Sequence, residues 1–171
     1  MLCVTSPRRW NQMLVKVTGS NKAVRELIRT ATWFYAEKLM GKRLINNLEL
    51  NIKLKKGLYK KDNTEGTAIW EDESYRPKEF TVELDCGAKI RNILITLAHE
   101  MVHIKQWAKG EMYEYATPGK VRFMKTKYDL NDLNYWDYPW EIEAFGKQLG
   151  LFIRFCEKMG FAEREDMMEE V

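Results

Sequence analysis

The chain has 171 residues, a length that suits one compact domain, and 45% apolar with 12% aromatic residues is enough to build a core. Charged residues reach 31%, but the signs are mixed and the formal net charge is only +3. That excludes a disordered polyelectrolyte and argues against a dedicated nucleic-acid binder, which carries a far more basic balance.

From Ser20 to Met40 the apolar positions Val24, Leu27, Ile28, Ala31, Phe34, Tyr35 and Leu39 recur at three and four. With Ser20 or Asn21 as cap and Gly41 as stop, this predicts an amphipathic helix, preceded by an N-terminal extension over 1–19. Leu48, Leu50, Ile52 and Leu54 then alternate with polar residues, the signature of a half-buried strand. Gly66 to Asp72 reads as a second strand, and Phe80, Val82 and Leu84 mark a third that Gly87 closes. A second helix is expected from Ala88 to Ala108, ending at Gly110. Glu111 to Tyr138 shows no clean period and reads as a long, aromatic-rich loop. Pro139 suits the first turn of a third helix, with Asp137 as its cap and Gly160 as its end. An acidic tail over 162–171 follows. The order predicts a single α+β domain over 1–171 with a mixed sheet of three to four strands.

The two histidines of the chain, His99 and His103, stand four apart in His-Glu-Met-Val-His. On a helix these positions lie one above the other, so two imidazoles can grip one Zn²⁺ while Glu100 reaches a water as general base. At about 100° per residue, His103 falls about 40° from His99, with Asn92, Thr96 and Gln106 close by. Ile93, Leu94, Leu97, Met101, Val102 and Ile104 lie on the far side, so the histidines share a narrow polar stripe that turns away from the core. Gln106 on that stripe either supports a histidine or is merely exposed.

A catalytic zinc takes three protein ligands and leaves a place for water. With no third histidine, a carboxylate is needed, and the helix after Pro139 carries Glu141 and Glu143. Phe145, Leu149, Phe152, Phe155, Cys156 and Met159 form the expected buried stripe of that helix. Glu141 shares this side, where a carboxylate needs a cation; Glu143 lies about 200° round and should meet water. The expected ligands are therefore His99, His103 and Glu141, with Glu143 the alternative should the helix be rotated from this reading, and Asp129, Asp132 and Asp137 next in reserve.

Leu97-Ala98-His99-Glu100-Met101-Val102-His103 followed by Trp107 resembles the active-site helix of zincin (HExxH) zinc metallopeptidases. A Gly66-Thr67-Ala68 strand, a second apolar strand and then that helix is similar to the SprT-like order. Glu141-Ile142-Glu143-Ala144 resembles the ligand-bearing helix of gluzincins, including HtpX-like and ImmA/IrrE-like peptidases, in which the first glutamate is the ligand. The resemblance implies Glu141 as third ligand, Glu100 as the catalytic base, Zn²⁺ as cofactor, and a small zincin-like domain acting on a peptide or protein substrate.

Lys42 to Lys61 is rich in Lys and Arg. It either tracks DNA phosphates, as a SprT-like protease acting on DNA-bound proteins requires, or is the solvated face of a lysine-protected edge strand. The aromatics from Tyr113 to Tyr138 either supply an oxyanion donor and a pocket or pack a long loop. The longest nearly unbroken apolar run, 93–98, is far short of a bilayer span. Met1 to Trp10 lacks the apolar stretch of a signal peptide, and Cys3, Cys86 and Cys156 form no CxxC, so a cytoplasmic, reducing location is expected. The expected activity is zinc-dependent peptide-bond hydrolysis. The alternatives are a SprT-like DNA-associated protease and a non-catalytic module that keeps zinc for stability.

Overall fold

The computed structural model describes residues 12–167. Strand β1 (Leu14–Thr18) leads into α1 (Lys22–Leu39), capped by the Asn21 side chain, which accepts from the Val24 N–H at 3.0 Å. A short helix α2 (Lys42–Ile45) precedes β2 (Glu49–Lys55); α3 (Leu58–Asp62), β3 (Gly66–Trp70) and β4 (Glu79–Asp85) follow. The long helix α4 (Ile90–Ala108) is succeeded by three short strands, β5 (Met112–Glu114), β6 (Lys120–Phe123) and β7 (Thr126–Asp129), two turns of 3₁₀ helix and α5 (Pro139–Met159). The architecture is α+β.

The main sheet has the order β1-β2-β4-β3, with β1, β2 and β4 parallel and β3 antiparallel on the β4 edge. Leu50, Ile52 and Leu54 of β2 and Phe80, Val82 and Leu84 of β4 are buried, so the alternation in the sequence marks the core side of the sheet. Helix α4 lies between this sheet, α1 and α5, and its Leu94, Leu97, Met101 and Ile104 are fully buried. Tyr35, Phe155 and Phe34 close the core between α1 and α5 with ring centroids 5.6–5.9 Å apart.

At Gly66 a Cβ would stand 2.6 Å from Thr96 Cγ2 of α4. Glycine here lets the start of β3 close onto the helix that carries the histidines. At the same end of the sheet, the Asp85 carboxylate gathers the backbone N–H groups of Gly57, Tyr59 and Gly87 at 3.1, 2.9 and 2.8 Å, tying α3 to the turn before α4.

Several expectations need correction. Residues 14–18 of the expected N-terminal extension are strand β1 of the main sheet, paired along its length with β2. β2 is thus an interior strand rather than a lysine-protected edge. The expected loop Glu111 to Tyr138 contains an antiparallel sheet, β5-β6-β7, whose Met112, Val121 and Phe123 are buried. Its β6–β7 connection is the two-residue turn Met124-Lys125 with φ of 46° and 73°, left-handed at both positions, the backbone that lets a short hairpin follow the strand twist. Pro139 does begin α5, but the cap residue is Tyr138, and Asp137 sits in the preceding 3₁₀ turn. Within the expected tail, Glu165–Met167 form a 3₁₀ turn that buries Met167. Cys86 and Cys156 are free thiols; Cys3 and the segment Met1 to Trp10 lie outside the described residues. No described helix is long and apolar enough to cross a membrane.

Candidate metal centre

The polar stripe of α4 does not face away from the protein. Helix α5 packs across it, which leaves His103 and Glu100 only 7% and 6% exposed and Gln106 fully buried. Burying this group is tolerable because its polar side chains meet partners on α5, on β3 and within α4 itself.

His99 Nε2 and His103 Nε2 are 3.1 Å apart. Glu141 of α5 brings Oε2 to 3.3 Å from His99 Nε2 and Oε1 to 3.5 Å from His103 Nε2. An ion bound tetrahedrally with bonds of roughly 2.0–2.1 Å separates its ligand atoms by about 3.3 Å, a spacing approached by the contact between the two imidazoles and by the contact of each with one of the two Glu141 oxygens. Among the described residues they form the group with the donor set and proximity to hold a metal ion. Two neutral nitrogens and one carboxylate oxygen suit Zn²⁺.

Both imidazoles are held from behind by glutamines. His99 Nδ1 lies 2.8 Å from Gln148 Oε1, and His103 Nδ1 lies 2.8 Å from Gln106 Oε1. The Gln106 amide is oriented unambiguously, since its Nε2 donates to the Trp140 carbonyl at 3.0 Å and to Glu143 Oε2 at 2.9 Å. Its oxygen therefore faces the histidine, Nδ1 carries the proton, and the Nε2 lone pair is directed at the metal position. Glu141 is steadied in turn by the Tyr135 hydroxyl, which donates to Oε2 at 2.9 Å.

The electrostatics agree with that arrangement. Burial alone would raise the Glu141 pKa, but its bonds to His103, His99 and Tyr135 hold it well below the carboxylate range. Burial opposes charge on His103, yet Glu141 and Glu100 prevail and raise its pKa. Tyr135 is pushed up by burial and by Glu141, and so stays a donor. Glu100 is raised chiefly by burial, and the Ala68 backbone N–H of β3 donates to its carboxylate.

Glu143 does not point into solvent as its position on the helical wheel implies. Its carboxylate accepts from Lys105 Nζ and Lys147 Nζ, both at 2.6 Å, and from Gln106. Lys105 is 4% exposed and also pairs with Glu111 at 2.6 Å. The α5 face is likewise turned from the expected one. Phe145, Leu149 and Met159 of the expected stripe are 38%, 46% and 38% exposed, whereas Phe152, Phe155 and Cys156 are buried as expected and are joined by Trp140, Ala144 and Leu151. Glu141 still reaches the site, because it lies within the true buried face. Asp129 serves Lys120 and the Asn131 turn, away from the histidines.

His99, Glu100, His103 and Glu141 line one cavity of about 300 Å³ together with Gly66–Ala68, Trp107, Tyr135 and Tyr138. Sequence reasoning missed Gln148 and Tyr135. Gln148 was detectable, seven residues after Glu141 and so on the same side of the helix; nothing in the sequence distinguished Tyr135 from its aromatic neighbours. Compared with family models, curated proteins and solved structures, the chain finds no match in any of the three.

Proposed function

We propose that the protein is a zinc-dependent metallopeptidase of zincin type, with His99, His103 and Glu141 as ligands and Glu100 as general base. The observation that carries this reading is the convergence of His99 Nε2, His103 Nε2 and the two Glu141 carboxylate oxygens, with contacts of 3.1, 3.3 and 3.5 Å, and the Glu100 carboxylate in the same cavity. When bound, zinc would supply a Lewis acid that acidifies water and polarises the scissile carbonyl. Glu100, buried and oriented by the Ala68 N–H, takes the proton from the attacking water and returns it to the leaving amine. Tyr135 lines the cavity and orients Glu141 through its single hydroxyl proton.

Strand β3 is the sheet edge that borders the cavity through Gly66, Thr67 and Ala68. An extended peptide can add to that edge by main-chain hydrogen bonds. A purely structural zinc site has no use for a buried carboxylate beside its ligands, which disfavours the non-catalytic module. The basic residues of the 42–61 segment fall at the two ends of β2, some 20 Å apart for a seven-residue strand. They form no continuous track, and the DNA-associated reading gains nothing from them.

Metal analysis joined to cleavage of an unfolded protein such as casein tests the proposal. One zinc per chain and hydrolysis abolished by a chelator are expected; a chain that cleaves equally well without metal contradicts it.

A further inference from the structure

Beside the metal cavity lies a second cleft of about 490 Å³, bordered by Trp70 at the end of β3, the segment after it, and strand β5. Its walls include Trp70, Trp107, Tyr75 and Tyr113, and its polar rim carries Glu73 and Glu114. Trp107 and Glu114 line both cavities, so the two spaces adjoin. The Trp70 and Trp107 rings pack 5.0 Å apart, and those of Tyr75 and Tyr113 5.1 Å apart.

Two observations define what the cleft accepts. The first is that neither carboxylate has a cation: Glu73 and Glu114 make no ion pair among the described residues, whereas Glu111 and Glu143 close by do. Glu114 is an exposed residue, yet its surroundings crowd the carboxylate enough to raise its pKa by desolvation. The second is that the tyrosine faces already attract a guanidinium. Arg122, which does not line the cleft, stands 5.0 Å from the Tyr75 ring and 5.8 Å from the Tyr113 ring. Aromatic faces joined to unpaired carboxylates form the environment that holds an organic cation. The Trp107 side chain is 8% exposed, and its indole N–H interacts with the Glu114 carboxylate, opposing the rise that burial causes.

We infer that this cleft is a subsite for a lysine or arginine side chain of the substrate, so that the enzyme cleaves next to basic residues. The inference rests on the peptidase reading for its meaning but not for its chemistry. A peptide added to β3 passes the metal cavity at Gly66–Ala68 and reaches Trp70 two residues on, about 6.6 Å along the strand. The basic residue thus lies within about two residues of the cleaved bond.

The test has two separable arms. In the first, the purified chain is titrated with N-acetyl-arginine N-methylamide and with its leucine and glutamate counterparts, following the tryptophan indole N–H resonances. The arginine probe is expected to bind at least tenfold tighter than either counterpart, and at least tenfold weaker to the double variant Glu73→Gln, Glu114→Gln. Both positions are exposed, so the variant folds, and unchanged thermal unfolding checks this. A leucine probe that binds as well as arginine, no arginine binding, or a double variant that binds like the parent overturns the subsite. In the second arm, the zinc-loaded chain cleaves a mixed peptide library. Cleavage without enrichment of Lys or Arg near the cut also overturns the subsite and leaves the peptidase intact. Absence of any cleavage defeats the peptidase reading, and the probe titration then decides the cleft alone.

Discussion

Replacing Glu143 by Ala separates the structure from the helical wheel. The wheel puts Glu143 in water, where its loss costs nothing measurable. In the structure its carboxylate balances Lys105, which is 4% exposed, and fixes the Gln106 amide that holds His103. Breaking a fully buried pair costs about 3–5 kcal/mol. Lys105 keeps Glu111 as a partner, and the Glu143 side chain is 17% exposed, so we take about 2 kcal/mol as the net loss. For a chain of this size that lowers the melting temperature by about 4–8 °C. With Gln106 free to turn, zinc affinity should fall by about tenfold, the lower end for lost support of a metal-bound histidine. Urea unfolding of the metal-free protein gives the first quantity, and zinc titration against a competing chelator gives the second. A variant within 0.5 kcal/mol of the parent and equal to it in zinc affinity would refute the reasoning.

Glu141→Ala removes a ligand, so it should lose zinc affinity by at least a hundredfold on competition titration and forfeit the zinc-induced rise in melting temperature, which for the parent is worth about 2.7 kcal/mol at a hundredfold excess over Kd. Gln148→Ala should weaken zinc by about tenfold while leaving unfolding of the metal-free chain nearly unchanged, as judged by the same pair of assays. Asp85 accepts backbone N–H bonds from Tyr59 and Gly87 that hold its pKa below the ordinary value. A lowered folded-state pKa means stability that is complete above the unfolded value and is lost as pH falls through the folded one, so this contribution should begin to fall near about pH 4 and vanish only below the folded-state pKa. Asp85→Asn should therefore be less stable at pH 7, by about 1–2 kcal/mol, and should approach the parent in acid-titrated urea melts.

The legible parts of the fold were those in which one face alone is apolar. The three-and-four spacing of α1 and the alternation of β2 follow from a single wet side, and β4 alternates because its other face, though Thr81 and Asp85 are buried there, is polar. The histidine pair was legible because helical geometry alone brings i and i+4 together. Helix α5 misled because it is apolar nearly all round: Phe145, Leu149 and Ile153 are exposed and Ala144, Leu151 and Phe155 buried, so periodicity could not fix its rotation. Glu143 misled because the wheel tracks Cα positions, whereas the long Lys105 side chain reaches across to it. The small sheet went unseen because its tight turn is Met124-Lys125 rather than the usual Asn-Gly, although Val121 and Phe123 alternate as a strand requires. β1 was too short and too near the segment's polar start to separate from an extension. The glutamine supports of the histidines arise only when α5 docks on α4.

The central claim is that Glu100 moves the proton in zinc-dependent hydrolysis, and the most direct measurement is peptide cleavage by the Glu100→Gln chain at matched zinc content. Glutamine keeps the shape and leaves both imidazoles and Glu141 in place, so zinc stays bound at one per chain. The rate should then fall by a factor on the order of a thousand or more. Cleavage by the glutamine variant at the parent's rate, with zinc present in both, would contradict the account.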